Sequence, residues 1–304
     1  MLGGIFYWVF NMSIAATICM LPVLLIRCIK KIPRRFFIWL WLIPFFRLCI
    51  PITVSSEYGI MALLSKFATK TVTVYKFYEG PSLSSMNIVM MADTYFPITY
   101  KINVLERLFS IASVIWLAVV AVVLVFVIVV YFVTLAGNRN TRHLEGNVYL
   151  SEKIKTPAVY GIIRPKIIIP VGYETNNLDY ILLHEKAHIK RKDNLIRLLA
   201  LVIVCFHWFN PFAWLLLNLL YSDIEFACDE TVLSKCNETQ RKEYAETLLL
   251  SAEKRSVFAA AFGGAKIKNR IENILSYKKM TILSVVAFST FIAAVAYLLL
   301  TNAG

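Results

Sequence analysis

Four apolar stretches, at residues 5–29, 36–54, 108–136 and 280–301, are each long enough to cross a hydrocarbon core, which takes about 20 residues as helix. A fifth, 195–221, is as long but is interrupted by His207, Asn210 and Pro211. Composition points the same way. Apolar residues make up 59 % of the 304 and charged residues 17 %, where soluble chains run at roughly 45–50 % apolar. The chain is therefore read as an integral membrane protein. Its first run lacks a basic leading region and a small-x-small cleavage site, so it reads as a retained helix and not a signal peptide. The six cysteines lie mostly in or beside apolar runs and form no CxxC, which argues against a disulfide scaffold or a cysteine metal cluster.

The charges assign sides. Between the first two runs stand Arg27, Lys30, Lys31, Arg34 and Arg35 with no acid, so that turn is expected in the cytoplasm. Loop 55–107 then lies outside, and segments 137–194 and 222–280 return inside. The cytoplasmic parts sum to +10 against +1 outside, so most of the net +13 is membrane sidedness and not a nucleic-acid footprint. Arg47, well inside the second run, is expected to snorkel to the outer headgroups, with structural pairing to another helix as the alternative.

LLHEKAHIKRKDN holds His184-Glu185-Lys186-Ala187-His188, an H-E-x-x-H. Residues i and i+4 share a helix face, so both imidazoles can reach one zinc ion. Glu185 then stands beside the metal's water to take its proton, with zinc lowering that water's pKa toward about 7. With four histidines in the chain, chance gives this pattern in only about 0.002 of such sequences. A catalytic zinc needs a third protein ligand. His143, in a basic loop, and His207, in the broken apolar run, are poor candidates. YSDIEFACDE offers Glu225, with Asp223 and Glu230 as competitors. Asp229, at i+4 from Glu225, is placed to accept the free ring N–H of a zinc histidine.

These motifs, together with CFHWFNPFAWLL, GIIRPKIIIP and FRLCIP, resemble the BlaR/MecR family of membrane metallopeptidases over nearly the whole chain. The resemblance implies that His184, His188 and Glu225 bind Zn2+, that Glu185 is catalytic, and that the protein cleaves itself or a cytoplasmic repressor after an outside signal. The best-known members carry a penicillin-binding sensor domain after the last span. This sequence stops at Gly304, just past that span, so β-lactam sensing by such a domain is not carried over. HtpX and the CAAX prenyl proteases share H-E-x-x-H and a later Glu-x-x-x-Asp and form the alternative, a housekeeping membrane protease. A non-catalytic receptor or scaffold is the third reading.

Chemistry then constrains topology. A single crossing by 195–221 would separate Glu225 from His184, so this stretch is expected to be a hairpin broken at Asn210-Pro211. The expected fold is predominantly α and polytopic, with four spanning helices, the hairpin, and a small cytoplasmic α+β zinc-metallopeptidase region. Its parts are 1–54 (two spans and a basic turn), 55–107 (outside loop), 108–136 (third span), 137–279 (peptidase region) and 280–304 (last span and tail), with both termini outside the plasma membrane. Residues 146–170 read as two or three short strands, and Gly161, Arg164 and Pro165 there are candidates for a substrate cleft wall, the alternative being that the segment simply packs under the zinc helix. In members of that family self-cleavage falls in the cytoplasmic region before the last span, so 253–272, with Ser256, Val257 and Phe258, is a candidate self-cleavage stretch, and a plain cytoplasmic linker is the alternative reading. Expected partners are a repressor-like cytoplasmic protein and the bilayer, with a second copy of the chain as a further candidate and no direct nucleic acid.

Overall fold

The computed structural model describes residues 2–29, 32–50, 56, 58–62, 64, 104–138, 140–154, 156–173, 178–253, 267–278 and 280–301. Most of the 55–107 loop, and Ser256, Val257 and Phe258, lie outside these. The described chain is mostly helical, with one small sheet.

Helix α1 (Leu2–Arg27) packs along α2 (Arg34–Cys49) and α3 (Val104–Gly137). Strands β1 (Arg142–Glu145), β2 (Val148–Ser151), β3 (Ala158–Tyr160) and β4 (Lys166–Pro170) follow. Next come α4 (Leu178–Arg191), α5 (Asp193–Phe206), α6 (Pro211–Leu233), α7 (Glu238–Glu253), α8 (Ile267–Leu275) and α9 (Ile282–Leu300). Among the described residues, three helices are long and apolar enough to cross a membrane: α1, the Leu108–Gly137 part of α3, and α9. Along α3 and α9 large apolar side chains such as Val122, Phe126, Leu283 and Val286 are exposed, a surface suited to hydrocarbon.

Helix α2 differs from the expected run at 36–54. It has 16 residues, about 24 Å of helix, and stops at Cys49. The cause is local. Ile50 precedes Pro51, which disfavours helical backbone, and Ile50 is extended at φ −118° and ψ 115°. The snorkelling expected of Arg47 is corrected. Its side chain is fully buried and donates from Nε and Nη2 to Leu299 O (3.2 and 3.1 Å) and from Nη2 to Thr301 O (2.8 Å). The last carbonyls of α9 lack intrahelical partners and carry the negative end of the helix dipole, so a buried cation finds its compensation there.

The broken apolar stretch is a helical hairpin. Pro211 starts α6, where a missing N–H costs nothing. Asn210 accepts from the Phe212 N–H (2.9 Å) and donates to Ser13 Oγ (2.7 Å) and Thr17 Oγ1 (3.0 Å), fixing the hairpin tip halfway along α1. Buried His207 contacts Leu48 O (3.0 Å), a structural role. At the open end Tyr221 donates to Arg197 O (2.9 Å), so the chain that leaves α4 returns beside it. Replacing Asn210 with Ala is expected to cost about 1–2 kcal/mol, the scale of a lost N-cap, read from denaturant unfolding in micelles. An unchanged midpoint would show that the tip is held by apolar packing alone.

Within 146–170 three strands form, at the upper end of the expected two or three, and β1 just before that stretch adds a fourth to the sheet. Their order is β1-β2-β4-β3, with β2 and β4 parallel and the other pairs antiparallel. Val148, Ile167 and Ile169 bury one face of this sheet against Leu178, Leu182 and Ile189 at α4. A second core joins α4, α6, α7 and α8 through Ala187, Cys228, Val232, Tyr244, Leu248 and Ile274. The H-E-x-x-H helix is thus held between sheet and helices.

Candidate metal centre

Helix α6 is two-faced. About 100° per residue puts Asp223 and Glu230 on one side, and Glu225 and Asp229 on the other. The first pair serves the fold. Asp223 accepts from Arg27 Nε and Nη2 (both 3.0 Å) and from Trp41 Nε1 (2.7 Å). Glu230 accepts from the Arg34 and Arg35 backbone N–H groups (2.8 and 3.3 Å), capping the start of α2. Of the three carboxylates weighed as third ligand, Glu225 is the one beside the histidines.

On α4 the spacing of four brings His184 Nε2 and His188 Nε2 to 3.1 Å. Glu225 Oε2 lies 3.7 Å from the first and Oε1 3.7 Å from the second. Tetrahedral zinc with ligands at about 2.0–2.1 Å sets donor atoms about 3.3–3.4 Å apart, so this set needs adjustments of only a few tenths of an ångström. The other ring nitrogens are engaged. His188 Nδ1 donates to Asp193 Oδ2 (2.7 Å). His184 Nδ1 donates to the Tyr244 hydroxyl (2.8 Å), which donates to Asp229 Oδ1 (2.6 Å). That arrangement fixes both tautomers with the Nε2 lone pairs toward Glu225. The group fits a zinc site with two imidazoles and a carboxylate.

Backbone strain helps to build it. Lys192, between α4 and α5, is left-handed at φ 56°, a conformation costing a non-glycine residue roughly 1–2 kcal/mol. The resulting turn swings Asp193 back to His188. Charge completes the arrangement. Arg197 and Arg270 both pair with Glu225, the latter at 3.2 Å. Arg270 also grips Asp229 through Nε (2.8 Å) and Nη2 (2.7 Å). Burial opposes ionisation of Asp229, but the Arg270 guanidinium outweighs it and brings the carboxyl down to about 2. Burial likewise opposes a charged Glu225, which the His184 contact, Arg270 and Arg197 hold well below the usual carboxylate range. Glu185 differs: burial pushes its carboxyl up, against the pull of His184 and His188. A carboxylate held above its usual range is the stronger proton acceptor.

Asp193, Arg197, Tyr244 and Arg270 carried no signal in the sequence reading. They come from a turn, an apolar run and two later helices, with no fixed spacing from His184. Cys228 was also set aside there. Its Sγ lies with donor atoms of both histidines in a cluster within 4.8 Å, while its thiol donates to His184 O (3.4 Å) between α4 and α6. His143 is exposed on Gly146 O (2.9 Å), and neither it nor His207 joins the cluster.

Beside the site an open cavity of about 320 Å3 is lined by Tyr131, Tyr160, Gly161, Arg197 and Tyr221 among others. Of the expected cleft residues Gly161 lines it, and exposed Arg164 and half-buried Pro165 form the turn beyond. Gly161 is at φ 88°, where a Cβ would meet Arg164 O at 3.1 Å. The edge strand β3 is tied down by Asn194 Nδ2, which donates to Val159 O (3.1 Å) and Gly161 O (3.3 Å).

The chain thus combines apolar helices of membrane-spanning length with a paired-histidine helix backed by ordered carboxylates. The chain belongs to the BlaR1 peptidase M56 family, whose model matches residues 7–274. It is 30 % identical over 143 residues to regulatory protein BlaR1 of Bacillus licheniformis, covering 46 % of this chain and 23 % of that protein. It is 31 % identical over 141 residues to the methicillin resistance mecR1 protein of Staphylococcus aureus, covering 43 % and 24 %. Staphylococcus aureus BlaR1 matches at 28 % over 160 residues, covering 48 % and 27 %. The matched stretch spans about a quarter of the length of these curated relatives.

Proposed function

We propose that this protein is a membrane-embedded zinc endopeptidase that works on the cytoplasmic side, cutting a repressor-like regulatory protein, itself, or both, in transmembrane signalling. The observation that carries the reading is the approach of His184, His188 and Glu225 to within 3.7 Å of one another, with Glu185 on the same helix. The relatives' printed names, a regulatory protein and a resistance protein, support the signalling part.

In this reading α1, α2, α3 and α9 cross the bilayer with both termini outside, and the α5–α6 hairpin enters it from the cytoplasm. Residues 137–279 form the peptidase region, and the extracellular loop is 55–107. When bound, zinc supplies Lewis acidity, which acidifies water and polarises a carbonyl. His184, His188 and Glu225 hold it. Glu185 takes the proton of the attacking water and passes it to the leaving nitrogen. The cavity at Gly161 accepts the substrate chain beside β3, where Asn194 already occupies the outward carbonyls and a peptide strand would compete with it.

Metal removal tests this. The full chain in vesicles, incubated on the cytoplasmic face with candidate repressors, is expected to lose cleavage after chelation and to regain it with stoichiometric zinc. Cleavage that persists without metal, or zinc-replete protein that cuts neither itself nor any repressor encoded beside it, would overturn the proposal.

A further inference from the structure

Arg270 is the anomaly of α8. The helix has nine residues and buries two of them, Arg270 and Ile274, so a guanidinium stands where an amphipathic helix ordinarily places an apolar side chain. Its exposure is 2 %. Every nitrogen of the fork faces the site. Nε and Nη2 hold the two Asp229 oxygens at 2.8 and 2.7 Å, Nη1 stands 3.2 Å from Glu225 Oε2, and Nη2 lies 3.5 Å from His184 Nε2. Asp229 in turn accepts from the Tyr244 hydroxyl, which accepts a hydrogen bond from His184 Nδ1–H.

We propose that Arg270 is a positioning residue for the metal centre, aligning Glu225 directly and His184 through Asp229 and Tyr244. The inference rests on the zinc reading of the site. A planar fork serves two carboxylates at once, in fixed directions, whereas the point charge of a lysine serves one at a time. The position of α8 gives the contact a second consequence. Six residues separate Leu275 from the start of the apolar helix α9, so the last membrane helix and the ligand set are joined by a short connection. A shift of α9 that draws α8 away would release both carboxylates together.

The test measures zinc affinity of the full chain in micelles by chelator competition, which needs no substrate. Outer partners of metal ligands are worth about 10–100-fold in affinity. Arg270→Met is expected to weaken zinc about 100-fold, and Arg270→Lys to recover part of that, staying about 10-fold weaker. Arg241→Met is the packing control, since Arg241 Nη1 holds the far end of α8 through Tyr277 O (3.3 Å) without touching the site. It is expected to stay within about twofold of the parent, well below the effect of an outer partner. Cobalt absorption bands shift in Arg270→Met at saturating metal and are unchanged in Arg241→Met. Where the Met variant fails to fold, the Lys variant decides. Parental or tighter affinity at position 270, or an equal loss at position 241, overturns the inference while leaving the zinc site standing. A parent chain that binds no zinc removes the site and the inference together.

Discussion

Glu185→Gln is expected to lower the rate of cleavage by about 10²–10⁴-fold, the range that a positioned general base supplies, with zinc content unchanged. Gln matches Glu in shape and keeps an acceptor oxygen, but it cannot take a proton. The loss therefore reports proton transfer and not packing. In the proposed zinc site His184, His188 and Glu225 are the donor set and Glu185 is not, so metal analysis of the variant is expected to match the parent. Turnover at the parental rate would remove Glu185 from the chemistry. Loss of zinc along with activity would instead make it part of the metal's support. The contrast with Arg270 is useful, because that variant moves affinity first and rate only as a result.

How far the sequence could be read depends on whether the relevant contact is local. His184, Glu185 and His188 declare themselves because one helical turn fixes their mutual placement. The break at Asn210-Pro211 is likewise local, since cap and proline act within two residues of the helix start. The end of α2 was signalled by Ile50-Pro51, yet the apolar residues that continue to position 54 concealed it. Hydrophobicity records what a residue avoids, whereas the residue before a proline is limited by backbone sterics. Arg47 shows a further limit: snorkelling and pairing with carbonyls 252 residues away fit the same sequence. Tyr244 and Arg270 were out of reach for the same reason. A hydroxyl on one helix and a guanidinium on another meet His184 through folding alone, and no spacing in the chain anticipates it. The fourth strand, β1, is exposed along its whole length and lacks the apolar alternation by which strands are recognised.

Asp223→Ala is the prediction that separates the two faces of α6. The side chain is fully buried, and it holds Arg27 of α1 and Trp41 of α2 together. Removing it strands a guanidinium and an indole N–H among apolar neighbours. Breaking a buried pair costs about 3–5 kcal/mol, and the lower end applies because Arg27 keeps 22 % of its surface. Unfolding in micelles is expected to show a loss of about 3 kcal/mol. Arg27→Met in the same background should restore part of it, since the orphaned charge is then gone. Zinc affinity of the folded fraction is expected to stay at the parental value, because Glu225 lies about 200° around the helix from Asp223 and faces the histidines. The reverse outcome, zinc lost with stability intact, would make Asp223 the third ligand and turn α6 around. The pairing has a mechanical meaning as well. One helix carries the grip on α1 and α2 and the candidate ligand on opposite faces two residues apart, so any rotation of α6 would move Glu225 relative to His184 and His188.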